Sequence, residues 1–193
     1  MTLELSGAQV AGRIAQIVPG ARVEAQGLSC YVAAEDLPAV ALAVRDDPEL
    51  RFQMLTNLTA VDYLTHFEVV YHCVSLAKNQ LGLLKVRVPD RLNASVPSVV
   101  SVWYGAHLQE RETYDLMGIR FEGHPDLRRI LLWEGFAGHP LRKDFMGISG
   151  AMQHAGLPHF PKQEQGYGVL NGPRWSDEPQ PAPPDPFAPG APY

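Results

Sequence analysis

The chain has 193 residues, a formal net charge of −5 and two cysteines. This length is enough for one domain with a sizeable core, and the acidic balance argues against a nucleic-acid-binding protein. Two cysteines cannot hold a four-thiolate iron–sulfur cluster. Cys30 and Cys73 each lie in an apolar run, which favours reduced, buried thiols.

Neither secretion nor membrane insertion is predicted. Residues 1–4 lack the basic region and the following apolar run of a signal peptide. No run of about 18 apolar residues occurs in the chain, so no membrane-spanning helix is predicted. We therefore expect an intracellular protein that is soluble or peripheral to a larger assembly.

The N-terminal part of the chain predicts two helices around a pair of short strands. Apolar residues recur at helical spacing within residues 6–18, and Pro19-Gly20 ends this pattern. Two short strands are predicted at 22–26 and 28–33. A second helix begins at Glu35-Asp36, and its apolar side is formed by Leu37, Val40, Ala41 and Val44.

A β-hairpin is the clearest predicted element in the middle of the chain. Residues 67–77 and 81–88 have the composition and alternation of strands, and a short polar turn joins them. A further strand is predicted at Phe52–Leu55, and Pro89–Ala94 is predicted to be a loop.

A helical pattern follows from Pro97-Ser98 to Met117, and Gly118 is a natural residue to follow its end. If the helical phase is continuous, Glu110 lies in the middle of an apolar stripe. Gly105 divides the pattern into two helices in an alternative interpretation, and the phase is then not continuous.

Regular structure is not predicted after the second of two Gly-His-Pro turns, at 138–140. Residues 148–175 are interrupted by glycine and proline and indicate an extended, irregular segment that lies along a partner. Residues 176–193 are rich in proline and can bury too little apolar surface to offset the entropy of ordering. They predict a disordered tail with a local polyproline II preference.

The segment from Glu110 to Phe145, called here the signature segment, concentrates acids, arginines, turns and large apolar residues. It contains no phosphate-binding loop, no Cys-x-x-Cys and no His-Glu-x-x-His. Its histidines stand singly among turns, which is typical of hydrogen-bonded turn residues rather than metal ligands. No serine lies in a Gly-x-Ser-x-Gly elbow, and the glycines are not spaced for a dinucleotide site.

Carboxylates are the strongest catalytic candidates in this segment. Glu110, Glu112 and Asp115 lie within two helical turns, and paired acids can hydrolyse glycosides. A free-standing hydrolase that uses Glu110 or Asp115 is therefore one hypothesis. The competing hypothesis is that these acids pair with cations, and the candidate cations are Arg111, Arg128, Arg129 and Arg142.

A docking surface is the interpretation that the whole segment favours. Large apolar side chains ringed by arginines are typical of protein–protein contacts. The apolar residues are Leu127, Ile130, Leu131, Leu132, Trp133, Phe136 and Phe145.

The order of residues in this segment resembles the signature of the C subunit of NADH-quinone oxidoreductase, the thirty-kilodalton subunit family of respiratory complex I. The resemblance covers roughly residues 5–147 and includes Leu58–Tyr63. The signature residues that it assigns to an interface are Glu110, Arg111, Glu112, Asp115, Gly118, Gly123, His124, Pro125, Leu127, Arg128, Arg129, Pro140, Leu141, Arg142, Lys143 and Asp144.

The resemblance implies a non-redox accessory subunit in the hydrophilic arm of the bacterial complex. That complex passes electrons from NADH through FMN and iron–sulfur clusters to quinone and couples this transfer to proton translocation. The FMN and the clusters are expected in partner subunits, so no catalytic, cofactor-binding or metal-binding residue is expected in this chain. The isolated chain is expected to have no activity.

The resemblance also implies partners and a location. The partners are other subunits of complex I, especially the D subunit at the quinone site and the iron–sulfur subunits, and no nucleic acid. The chain is expected on the cytoplasmic side of the cell membrane, peripheral, with membrane contact only through the complex. The alternative within this class is the equivalent subunit of a related membrane-bound hydrogenase or ferredoxin-quinone reductase.

An α+β fold is the last implication of the resemblance. With the predicted elements, it gives a mixed sheet with a central hairpin, packed by two or three helices, in a domain of residues 1–147. An extended irregular C-terminal region follows, with one segment at 148–175 and the proline-rich tail at 176–193.

Overall fold

The computed structural model describes residues 2–133 and 136–145. The elements in chain order are β1 (Leu3–Glu4), α1 (Gly7–Ile17), β2 (Val23–Gln26), β3 (Ser29–Val32), α2 (Leu37–Asp46), β4 (Met54–Asp62), β5 (Phe67–Ser75), β6 (Gln80–Val88), β7 (Ser95–Pro97), α3 (Ala106–Met117) and β8 (Arg120–Glu122). The segments predicted at 148–175 and 176–193 lie outside the described residues.

A six-stranded mixed sheet forms around β6. The strand order is β2-β3-β6-β5-β4, with β1 beside the start of β6. Strands β1 and β3 run parallel to β6, and the other neighbours are antiparallel. The predicted hairpin is confirmed, because β5 and β6 pair from Phe67↔Val88 to Ser75↔Gln80. The α+β fold class is confirmed.

One hydrophobic cluster joins the sheet to the helices. On β5, alternation places Phe67, Val69, Tyr71 and Cys73 in fully buried positions. The apolar side predicted for α2 is buried at all four positions, at Leu37, Val40, Ala41 and Val44. Both cysteines are buried and unpaired, and burial raises the pKa of the Cys30 thiol to about 11.

Helix α1 begins where its sequence predicts. The Ser6 side chain accepts a hydrogen bond from the Gln9 backbone N–H. The Gln9 side-chain oxygen accepts one from the Ser6 backbone N–H, so the two residues form a capping box. Gly7 is required at this end because a Cβ there would lie 2.1 Å from the Ser29 carbonyl oxygen. The close approach fixes the start of α1 against β3.

Two predicted elements have the wrong bounds. Phe52–Leu55 is not a separate strand: strand β4 begins at Met54 and continues to Asp62, while Phe52 is a core residue whose ring lies on Gly82. The helix predicted from Pro97-Ser98 begins only at Ala106, after Gly105. Proline favours an extended residue before it, and residues 95–97 accordingly form β7, which pairs in parallel with β8.

Within the described ranges, no helix is long and apolar enough to cross a membrane.

Candidate functional site

The signature segment folds back onto helix α3. The helix ends at Gly118, whose φ of 72° is the left-handed conformation that glycine adopts without strain. The residues after β8 then return along the C-terminal half of α3, where side chains and backbone groups of residues 128–132 and 139–142 contact it. Most of the charged signature residues are therefore used inside the chain.

Asp115 is the centre of this arrangement. Its side chain is fully buried, and its Oδ2 accepts the backbone N–H groups of residues 130–132 at 3.0, 2.8 and 2.9 Å. Its Oδ1 accepts a guanidinium N–H of Arg129 at 3.1 Å. Burial alone would raise the pKa of Asp115, but these donors outweigh it, and the pKa is lowered.

Arg111 does not pair with Asp115, so the pairing suggested by their spacing is wrong. The Arg111 guanidinium donates instead to the carbonyl oxygens of Arg128 and Arg129 at 3.1 and 3.2 Å. Two charged side chains of α3 thus bind opposite polar groups in the backbone of residues 128–132. Asp115 binds its N–H groups and Arg111 binds its carbonyl groups.

The last four carbonyl groups of α3 all find donors, although helix ends commonly leave them to water. The donors to the carbonyls of residues 114–117 are, in order, the N–H of Gly118 at 2.9 Å, Nδ1 of His139 at 2.8 Å, the N–H of Leu141 at 3.0 Å and Nε of Arg142 at 2.8 Å. The second Gly-His-Pro turn is therefore a cap for α3.

Gly118 and His139 fit each other closely. A Cβ on Gly118 would lie 2.5 Å from the His139 ring. Burial lowers the pKa of His139, which favours the neutral imidazole that donates from Nδ1 to the Asp115 carbonyl. His124 has a similar role in the first turn, since its ring bonds to the His107 carbonyl and the Asp126 N–H, both at 3.0 Å.

A second buried carboxylate, Asp62, holds the end of the segment. It accepts the Lys143 N–H at 2.9 Å and an N–H of Arg91 at 2.7 Å. Arg91 also reaches Asp144 at 3.2 Å. The guanidinium groups of Arg91 and Arg142 lie 5.1 and 5.0 Å from the centre of the Phe67 ring, within the range of cation–π attraction.

Glu110 lies apart from these pairs and is fully buried. It accepts the Ser98 hydroxyl at 2.7 Å and the Val99 N–H at 2.8 Å, which ties α3 to the turn after β7. Burial, opposed in part by these two hydrogen bonds, raises its pKa to about 7. The position that the apolar stripe predicted for Glu110 agrees with this burial.

The remaining signature residues lie in turns or face outward. Gly123 has a φ of 80° and precedes the exposed Pro125, and Leu127 packs against the core. The Arg128 side chain is exposed and donates to the Asp126 carboxylate at 3.0 Å. The outward apolar side chains include Leu131, 61% exposed, and Leu141, 59% exposed, next to the half-buried Pro140.

The geometry does not favour catalysis by these acids. Glu110 and Asp115 are both fully buried, so neither carboxyl group can meet a substrate that arrives from solvent. Among residues 2–133 and 136–145, no three His, Cys, Asp or Glu side chains are grouped to hold a metal ion. The hydrolase hypothesis therefore has no support from the described site.

Comparison with known proteins gives the family. Residues 30–149 match the family model described as "Respiratory-chain NADH dehydrogenase, 30 Kd subunit". The chain belongs to this family. It is 49% identical over 149 residues to the NADH-quinone oxidoreductase C subunit of Roseiflexus sp. (strain RS-1), covering 74% of this chain and 85% of that protein. The C subunit of Burkholderia multivorans is also 49% identical, over 148 residues, covering 69% and 74%.

A solved structure shares the fold of this thirty-kilodalton family member. It is a chain of the membrane-bound sulfane sulfur reductase, an archaeal respiratory membrane complex, with a TM-score of 0.62 and 23% identity. The match covers 84% of this chain and 99% of that chain. At this identity the likeness concerns the fold alone.

Proposed function

We propose that the chain is a non-redox structural subunit in the hydrophilic arm of a bacterial NADH-quinone oxidoreductase. The observation that carries this proposal is the 49% identity that extends over 85% of a protein named as the C subunit of that enzyme. Electrons pass in this complex from NADH through FMN and iron–sulfur clusters to quinone, coupled to proton translocation. The cofactors belong to partner subunits, and the isolated chain has no activity of its own.

Such a subunit contributes by holding the neighbouring, cofactor-containing subunits rigidly in place. Cofactors in a multisubunit enzyme function only when the surrounding protein holds them in the productive geometry. The contacts of α3 with residues 128–132 and 139–142 support this role, because they fix two described stretches that contain no helix or strand. A segment fixed in this way presents Leu131 and Leu141 in a defined position.

The partners in this proposal are the D subunit at the quinone site and the iron–sulfur subunits. The chain is peripheral on the cytoplasmic side of the cell membrane and meets the membrane only through the complex. No nucleic acid is a partner, consistent with the net charge of −5.

Co-purification from native membranes tests the proposal. We expect an affinity-tagged chain to recover a complex that oxidises NADH, reduces quinone and contains flavin and iron–sulfur absorbance. The chain expressed alone is the control, and we expect it to be colourless and inactive with NADH. Recovery of hydrogenase subunits without any flavin-binding protein would contradict the proposal in favour of the related hydrogenase complex.

A further inference from the structure

Strand β4 ends the sheet, and its outer edge is free of any other strand in the described part of the chain. The Leu58 N–H points to this edge, where it is bonded to Oε1 of Gln109 on α3. Backbone groups of alternate residues in an antiparallel strand point to the same side. The N–H and C=O of Ala60 therefore also face this edge. Such an edge can pair with an added strand.

A groove runs between this edge and α3. Its volume is about 70 Å³, and it is lined by residues 57–60 of β4, by Glu112, Thr113, Leu116 and Met117 of α3, and by Leu141. The lining combines apolar side chains, among them Leu116 and Leu141, with the polar side chains of Asn57 and Thr113, and Glu112 supplies a negative charge. We call this feature the edge groove.

Glu112 differs from the other acids of the signature segment. The described acids that have a hydrogen bond or ion pair within the chain are Glu110, Asp115, Glu122, Asp126 and Asp144. Glu112 is exposed, and its carboxylate has neither kind of partner within residues 2–133 and 136–145. The edge groove thus combines an unpaired strand edge with an unpaired acid.

We propose that the edge groove receives an extended, basic segment of a neighbouring subunit. The segment pairs with β4 at Ala60 as an added strand, and its main-chain hydrogen bonds are not specific for sequence. An arginine or lysine of the segment pairs with Glu112, and this charge sets the register and excludes other segments. Leu116 and Leu141 contact an apolar residue of the same segment. The inference rests on the proposed function only in taking the occupant to be another protein of the complex.

Charge reversal at Glu112 tests the ionic contact. The fraction of tagged chain that stays with the complex through gel filtration at physiological salt is compared for wild type, Glu112→Gln and Glu112→Lys. We expect the apparent affinity to fall about tenfold for Glu112→Lys and by less for Glu112→Gln. Glu24→Lys is the matched control, since Glu24 is an exposed acid on the opposite edge strand, β2, and we expect no loss.

Photo-cross-linking identifies the occupant. A photoreactive phenylalanine analogue is placed at Asn57 or Leu141 in the edge groove, and at Leu42, which is exposed on α2, as the control. We expect the groove positions to cross-link to one segment of another protein of the complex, and this segment to contain arginine or lysine. Changing that cation to glutamate should restore retention of Glu112→Lys.

Hydrogen exchange tests the added strand. We expect the peptide that contains residues 57–62 to exchange its amides more slowly in the complex than in the free chain, because Ala60 then donates to the partner strand. Unfolding in urea of each purified variant shows whether a loss of retention is a folding defect. Exposed Glu112 has no bond to lose inside the described fold, so we expect an unchanged midpoint.

Three results would overturn the inference. The first is retention of the Glu112→Lys variant in the complex at the wild-type level. The second is a cross-link from the groove to another position of this same chain. The third is a cross-linked segment that contains no basic residue. Failure of the proposed function gives a different result, because wild-type chain would then not be recovered with flavin- and quinone-binding subunits at all.

Discussion

At the scale of single residues, Glu110 is a carboxyl group held in the core by a hydroxyl and a backbone N–H. Its pKa in the folded chain is about 7, above the ordinary value of 4.5. Stability linked to Glu110 is therefore fully present below pH 4.5 and is lost as the pH rises through 7. The difference corresponds to about 3 kcal/mol, as an order of magnitude.

Glu110→Gln removes this dependence and keeps an oxygen for the Val99 N–H. Relative to wild type, we expect the variant to gain stability between pH 4.5 and 7, because only the wild type buries a charge at the higher pH. Urea unfolding at a series of pH values measures the gain. Glu112→Gln is the control, since it removes an exposed carboxylate from the same helix. A Glu110→Gln stability that follows wild type at every pH would contradict this assignment.

Asp115 gives the opposite case, a buried acid that its donors keep ionised. Asp115→Ala leaves Arg129 and three backbone N–H groups without an acceptor, and we expect a loss of about 3–5 kcal/mol in the free energy of unfolding. Arg129→Ala should cost less, about 1.5–3 kcal/mol, since the backbone donors remain paired. Chemical denaturation of the two variants measures both values. Equal losses would contradict the assignment of part of the Asp115 contribution to the three backbone donors.

The environments of some of these residues can be predicted from the sequence, and those of others cannot. The burial of Glu110 agrees with the part of the stripe that lies inside α3, between Ala106 and Met117, although the continuous helix from Pro97 on which the stripe was predicted does not form. The bonds of Asp62 to Arg91 and Lys143 join residues 29 and 81 positions apart, and no local pattern contains that information. The Arg111–Asp115 pair failed for the same reason, since each side chain found a stronger partner in the backbone of residues 128–132.

At the scale of elements, the end of α3 depends on both its own glycine and a distant turn. Gly118→Ala would strain the backbone at φ 72° and place a methyl group 2.5 Å from the His139 ring. We expect a destabilisation of more than about 1 kcal/mol, with faster amide exchange in the last turn of α3. Thermal unfolding and hydrogen exchange measure the two effects.

Gly12→Ala is the matched control for that substitution. Gly12 lies inside α1, and apart from neighbouring residues of the helix itself no described atom lies within 4 Å of an added Cβ. Alanine is the better helix former there, so we expect stabilisation by about 0.5–1 kcal/mol. The same chemical change therefore has opposite signs at two positions, and equal effects would contradict the structure.

Element bounds were predictable where one face carried a clear pattern. Helices α1 and α2 and the β5–β6 hairpin have such faces and agree with the prediction to within a few residues. Strand β4 has exposed polar residues along much of its length because it lies at the sheet edge, so only its start was recognised. Helix α3 begins only after Gly105, the residue that interrupts the predicted pattern, and residues 98–105 form turns instead.

At the scale of the whole molecule, the hydrophobic core of the described part of the chain runs from β1 to β8. The buried apolar residues in the described part of the chain lie between Leu5 and Phe121, and residues 128–132 and 139–142 contact α3. Residues 148–193 are interrupted by glycine and proline and have little apolar surface to bury. We therefore expect a chain that ends at residue 147 to unfold at the same urea concentration as the full-length chain. Circular dichroism during denaturation checks this. A lower midpoint for the shortened chain would show that residues 148–193 contribute to folding stability.

The charges of the signature segment first indicate a docking surface, but in the structure most of them have partners within the chain. Most of its acids and arginines bind within the chain, so their immediate effect is to shape the segment. Its role as an interface stays a prediction, and Glu112, Arg128, Leu131 and Leu141 are among the described residues that face outward and could serve it.

The central position of β6 has a consequence for how the chain is made. Synthesis runs from the N-terminus, so β1 and β3 leave the ribosome long before β6, the strand with which both pair. Until residue 88 has emerged, the apolar sides of α1 and α2 have no complete sheet to cover them. We therefore expect residues 1–66 of the nascent chain to bind chaperones until the β5–β6 hairpin, at residues 67–88, has been synthesised.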